Sequence, residues 1–179
     1  MDNPSRIGLI ETLKEMGADL DIEPGPEMAG ERTMNITASY STLRGVRIPA
    51  ARAPSMIDEY PVLGVAAACA TGTTHMAGLA ELRAKESDRL AGTADLLRLN
   101  GVELEIGEDS LTVHGQGAGS VAGGGMVPTH HDHRLAMSAL VLGLASRQAV
   151  SIDDASMIAT SYPRFADDMK ALGAKLERV

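Results

Sequence analysis

One pattern recurs three times along these 179 residues: a stretch of helical periodicity, a glycine, then a short β-prone run. Residues 4–20, 87–104 and 162–176 each carry it. Apolar side chains fall at helical spacing in every copy: Leu9, Leu13 and Met16; Leu90, Leu96 and Leu97; Phe165, Met169 and Leu172. Gly17, Gly101 and Gly173 stand where a helix C-terminus favours a left-handed residue. Such self-similarity constrains the fold strongly, because repeated units bury their faces against one another. A second helix type alternates with the first. Residues 58–71 and 132–146 are rich in Ala, Leu and Val almost all round, as suits helices buried on most sides. Each runs into a β-prone stretch, 73–79 and 149–152. Further strands are expected at 34–38, 46–48, 103–106 and 110–113, with Gly107-Glu108-Asp109 as a hairpin turn. Residues 115–125 read as a connection rich in Gly, Ala and Ser, without a core pattern. This order predicts an α/β domain built as a three-fold repeat. A regular array would open with another buried helix and close with further strands. The expectation is therefore a single domain over 1–179, incomplete at both ends, whose remaining pieces lie on another segment.

Composition narrows the function. Hydrophobic residues at 44% against 22% charged describe a globular chain, not a disordered one. Sixteen Lys and Arg face 24 Asp and Glu, a formal charge of −8, which argues against a nucleic-acid binder. With three Tyr, one Phe and no Trp, base stacking has little to work with. The longest apolar stretches, around 61–70 and 135–145, fall short of the roughly 20 residues that cross a bilayer. No signal-peptide pattern follows Met1. The one cysteine, Cys69, excludes an internal disulfide, reads as simple packing within an apolar helix, and suits a reducing cytoplasm.

Three polar clusters carry the possible chemistry. The first is residues 81–89, Glu-Leu-Arg-Ala-Lys-Glu-Ser-Asp-Arg, leading into the second amphipathic helix, with Ser87 or Asp88 as its cap. Lys85 and Arg89, four apart at a helix N-terminus, repel one another and oppose the dipole, each effect costing about 0.2–1 kcal/mol. A bound anion would remove that conflict, because free N–H groups and two cations converge on it. Neutralisation by Glu81, Glu86 and Asp88 is the other account, and Arg6 and Arg164 share Arg89's repeat position. The second cluster, Thr129-His130-His131-Asp132-His133-Arg134, opens the last buried helix. Its crowded ligand types cannot all face one ion, which disfavours a metal; an anion-facing His133 and Arg134 or a capped, solvated turn remain. In the third, residues 53–61, Asp58 holds the repeat position of Asp132, as either a helix cap or a general base. Walker and Gly-x-Ser-x-Gly templates are absent.

Lys85-Glu86-Ser87-Asp88-Arg89-Leu90 and Asp132-His133-Arg134-Leu135-Ala136-Met137 resemble the signatures of the 5-enolpyruvylshikimate-3-phosphate synthase family. Asn3-Pro4-Ser5-Arg6, residues 53–61 and Met157-Ile158-Ala159-Thr160-Ser161-Tyr162-Pro163 resemble its class II, glyphosate-tolerant bacterial branch. The resemblance implies a fold of βαβαββ units, three per domain, in a two-domain enzyme of which this chain is the C-terminal half. It implies transfer of the enolpyruvyl group of phosphoenolpyruvate to the 5-hydroxyl of shikimate 3-phosphate, with release of phosphate. Carried over by motif, Asp58 is the proton acceptor, Glu86 the acid at the methylene carbon, and Lys85 a cation at shikimate 3-phosphate. Arg89 and Arg134 clamp phosphoenolpyruvate, and His133 neighbours them. No cofactor and no metal are implied; the partner is the complementary N-terminal half, without which turnover is expected to be negligible. Thr160 stands where many relatives carry Lys, and receives no phosphate contact. Two other accounts remain open: an enolpyruvyl transferase acting on a UDP-sugar, and a non-catalytic interaction module.

Overall fold

In the computed structural model, which describes residues 3–178, the repeat is visible as three windows on one motif. A 3-10 turn (Pro4–Arg6) leads to α1 (Gly8–Glu15), β1 (Asp19–Pro24) and β2 (Met34–Ser39), the second half of a unit. A whole βαβαββ unit follows: β3 (Arg47–Ile48), α2 (Tyr60–Cys69), β4 (Thr71–Ala77), α3 (Arg89–Leu99), β5 (Leu104–Ile106) and β6 (Ser110–Gln116). Then β7 (Met126–Val127), α4 (His133–Ala145) and β8 (Ser151–Ile152) begin another, ending in the short α5 (Ile158–Ser161) and α6 (Phe165–Ala171). Strand pairing repeats with the elements. β3 lies parallel to β4 as β7 does to β8, and β5 is antiparallel to β6 as β1 is to β2. The middle unit closes a four-stranded sheet in the order β3-β4-β6-β5.

Glycines end the amphipathic helices as their spacing predicts: Gly17, Gly101 and Gly173 take φ of 94°, 81° and 95°. α2 is buried on nearly every face, through Tyr60, Leu63, Val65, Ala67 and Ala68. α4 is less enclosed than its sequence suggests. Leu135, Ala136, Ala139 and Leu142 are buried, while Leu144 is exposed. Two expectations fail. The β-prone run at 174–176 forms no strand, because an extended run becomes one only when an edge pairs with it. The 115–125 connection does enter the core: β6 continues to Gln116, Val121 is fully buried, and Gly123 bridges Gln148. A lone Val in a glycine-rich run carries no periodicity to detect.

Close helix crossings set up the site. A Cβ on Gly64 would approach Thr93 Cγ2 to 3.0 Å, and one on Gly92 would reach Leu135 Cδ1 at 2.5 Å. Glycine at these points lets α2, α3 and α4 approach closely. No helix among the described residues is long and apolar enough to cross a membrane.

Candidate active site

Two carboxylates fix the helix ends from which the site is built. Asp88 Oδ1 accepts from the Ala91 N–H at 2.9 Å and caps α3, a role the sequence left between Ser87 and Asp88. Arg83 ties that cap down, bonding Asp88 Oδ2 at 2.9 Å and the carbonyls of Gly107 and Glu108 in the β5–β6 turn. Lys85, Glu86 and Ser87 therefore lie on a short bridge anchored at both sides. Asp132 Oδ1 caps α4 through the Arg134 N–H at 2.9 Å. The preceding His130 and His131 adopt φ of 51° and 56°, a left-handed conformation that His tolerates better than most residues. The histidine-rich turn thus delivers Asp132 to its cap. No group of three or more His, Cys, Asp or Glu suited to a metal ion occurs among the described residues.

Arg89 is the hub. Its side chain is 1% exposed, and its three nitrogens face three different segments. Nε meets Asp132 Oδ2 at 2.7 Å, Nη1 meets Asp58 Oδ1 at 3.1 Å, and Nη2 lies 2.5 Å from Glu86 Oε2. The last is an ion pair without hydrogen-bond alignment, so the buried Nη2 still has N–H donors to offer. Ser87 Oγ adds a bond to Asp132 Oδ2 at 3.0 Å. Lys85 Nζ lies 3.5 Å from Asp58 Oδ1 and 2.5 Å from Glu81 Oε1. Arg134 Nη1 reaches back across the crossing to the Asp58 carbonyl at 2.9 Å and to Glu59 Oε1 at 3.4 Å. Asp58, Lys85, Glu86, Arg89 and Arg134 accordingly share one connected network. His133 is half-buried at the first turn of α4 and stands outside these ion pairs. Thr160 spends its hydroxyl within α5, on the Met157 carbonyl at 2.7 Å.

The acids differ in their duties. Asp58 makes no side-chain cap bond, although it precedes α2 as Asp132 precedes α4. Its carboxylate faces cations instead. Partial burial pushes its pKa up, but the Arg6 hydrogen bond and the fields of Arg134, Lys85 and Arg89 hold it below the ordinary aspartate range. Asp132 is likewise pushed up by desolvation and drawn below its usual value by Arg89, the Arg134 N–H and Ser87. A carboxyl whose folded pKa is depressed stabilises above its unfolded value, about 3.9, and loses that contribution as pH falls through the folded value. The melting temperature is therefore expected to be level between about pH 5 and 7 and to drop below about pH 4. Thermal unfolding followed by circular dichroism measures this; an acid limb as steep in Asp132→Asn as in the parent would count against Asp132 as its source.

Nearly the whole chain matches a known family. The family described as EPSP synthase (3-phosphoshikimate 1-carboxyvinyltransferase) matches residues 2–169. The chain belongs to the EPSP synthase family. It is 67% identical over 177 residues to the 3-phosphoshikimate 1-carboxyvinyltransferase of Maricaulis maris, covering 99% of this chain and 40% of that protein. The protein of the same name from a Chelativorans species is 55% identical over 175 residues, covering 98% and 39%. A solved EPSP synthase structure from Acinetobacter baumannii superposes with a TM-score of 0.93 at 41% identity, over 98% of this chain and 41% of that one. The enolpyruvyl transferase NikO from Streptomyces tendae shares the fold, with a TM-score of 0.71 at 20% identity over 97% and 36%. The chain thus spans about 40% of the length of the EPSP synthase relatives it matches.

Two residues of the network in this EPSP synthase family member went unassigned in the sequence. Arg6 Nη2 bonds Asp58 Oδ2 at 3.0 Å and lies 3.5 Å from Glu59 Oε1, so Glu59 stands between Arg6 and Arg134. Arg6 did carry a signal, its repeat position shared with Arg89. Glu59 carried only its place beside Asp58.

Proposed function

We propose that this chain is a single C-terminal domain that supplies one wall of the active site of a 3-phosphoshikimate 1-carboxyvinyltransferase. The reaction joins the 5-hydroxyl of shikimate 3-phosphate to the enolpyruvyl group of phosphoenolpyruvate and releases phosphate. The observation that carries this reading is the meeting of Asp58, Lys85, Glu86, Arg89 and Arg134 from separate segments in one network.

Asp58, held ionised by its cations, takes the proton of the acceptor hydroxyl as its oxygen bonds to C2 of phosphoenolpyruvate. Glu86, which takes up a proton as Arg89 Nη2 turns from it to the substrate, gives that proton to the methylene carbon, forming a tetrahedral adduct. Phosphate then leaves the adduct with the proton held by Asp58, and a methyl proton returns to Glu86, which restores the double bond and both carboxyl groups. Lys85 stays protonated, its pKa raised chiefly by its bond to Glu81, and balances the anionic acceptor. Arg89 and Arg134 suit the carboxylate and phosphate of phosphoenolpyruvate, where planar guanidiniums give paired hydrogen bonds. His133 borders this clamp. A two-walled cleft excludes water only when both walls are present, so the complementary N-terminal half is the expected partner. Residues 53–61 and the Thr160-Ser161-Tyr162-Pro163 turn support class II, and with it tolerance of glyphosate. The lone thiol of Cys69 supports a cytoplasmic setting.

Mixing the chain with the complementary half and assaying phosphate release tests the proposal. Turnover is expected with shikimate 3-phosphate and not with a UDP-sugar, and negligible turnover with either half alone. A demonstrably formed complex that releases no phosphate would overturn it.

A further inference from the structure

We infer that Arg6 is a positioning residue for the proton acceptor: its guanidinium holds Oδ2 of Asp58 and leaves Oδ1 to face the acceptor hydroxyl. The inference rests on the reading of Asp58 given above. Arg6 Nη2 lies 3.0 Å from Oδ2, while Oδ1 is on the side of Arg89 at 3.1 Å and Lys85 at 3.5 Å. Among the described residues the Asp58 carboxylate accepts from Arg6 and Arg89, and from no backbone N–H of the 3-10 turn Ile57–Glu59 or of α2. Side-chain cations alone therefore orient this carboxylate.

The repeat shows what Arg6 does by comparison. Arg6 and Asp58 correspond to Arg89 and Asp132. In the second pair both side chains are sealed from solvent, and every carboxylate oxygen is used. Oδ1 of Asp132 caps α4, and Oδ2 takes Arg89 and Ser87. In the first pair the cap bond is missing and one oxygen is turned toward the cationic cluster. The same Arg–Asp contact is a structural clasp in one copy and a handle on a reactive group in the other. The charged groups facing Asp58 are Arg6 from the first 3-10 turn, Lys85 from the bridge before α3, Arg89 from α3, Arg134 from α4, and Glu59 from its own turn. Among the described residues, only Arg6 bonds Oδ2.

The 179-residue chain and the assembled enzyme together test this. Titration of the Asp58 carboxyl carbon by NMR is expected to show a higher midpoint in Arg6→Gln, and a smaller rise in Arg6→Lys, which keeps the charge but not the planar fork. In the assembled enzyme the acid limb of kcat moves up with it. Arg6→Gln then loses about tenfold in kcat on that limb, regains it at higher pH, and keeps KM for phosphoenolpyruvate within about twofold. An unmoved midpoint in both variants overturns the inference. So does a kcat lowered equally at every pH, which marks simple structural damage. If the parent enzyme assembles and releases no phosphate, the functional reading fails, while the carboxyl titration still decides whether Arg6 governs Asp58.

Discussion

Asp58→Asn is expected to lower phosphate release by the assembled enzyme about 10²- to 10⁴-fold, the range usual for loss of a positioned general base. The direction of the accompanying KM change separates this from a binding defect. Asn is nearly isosteric and still offers an oxygen to Arg6 or Arg89, so the wall keeps its shape. It removes a negative charge from a cluster that also holds Lys85, Arg89 and Arg134. Phosphoenolpyruvate is anionic, so its KM should stay level or fall while kcat collapses. Steady-state kinetics with phosphoenolpyruvate varied at saturating acceptor measure both. A risen KM with kcat intact would mean that Asp58 shapes the pocket and takes no proton.

Asp58 also shows where the sequence stops informing. Asp58 and Asp132 hold equivalent repeat positions; Asp132 reads as part of a capped turn, and Asp58 as either a helix cap or a general base. Which one is a cap depends on whether the local backbone turns its N–H groups toward the side chain, and that turn is set by tertiary packing. At Asp132 the left-handed His130 and His131 deliver the cap; at Asp58 a 3-10 turn withholds it. The helices and their glycine stops were legible because they depend on periodicity and on backbone freedom, both local properties. So were the charged residues of the bridge before α3, since cations at a helix N-terminus conflict with the dipole. The resolution of that conflict was not legible. Arg89 meets Asp58 and Asp132, 31 and 43 residues away, and Arg134 meets the Asp58 carbonyl across 76. Glu59 and Arg6 escaped assignment for the same reason, as their partners are tertiary. The missing strand at 174–176 is a further instance, because pairing needs a neighbour that periodicity cannot supply.

The cost of that tertiary pairing is measurable at Arg89. Arg89→Met is expected to destabilise the chain by about 3–5 kcal/mol, the usual penalty for stranding one member of a buried ion pair. For a chain of this size that corresponds to a melting temperature lower by about 6–20 °C. Met fills much of the same volume, so the loss comes from Asp132, left with Ser87 and the Arg134 N–H at a site sealed from water. Asp132→Asn in the Arg89→Met background should then recover much of the lost stability, since Asn keeps the cap on α4 and removes the stranded charge. Activity should not recover. Arg89 also touches Asp58 and turns its buried Nη2 toward Glu86, contacts the double variant does not restore. Stability regained without turnover would separate the clasp that holds α3 to α4 from the cation that the reaction needs. A double variant no more stable than Arg89→Met alone would show that the clasp contributes little and that the helices are held by apolar packing around Gly92 and Leu135.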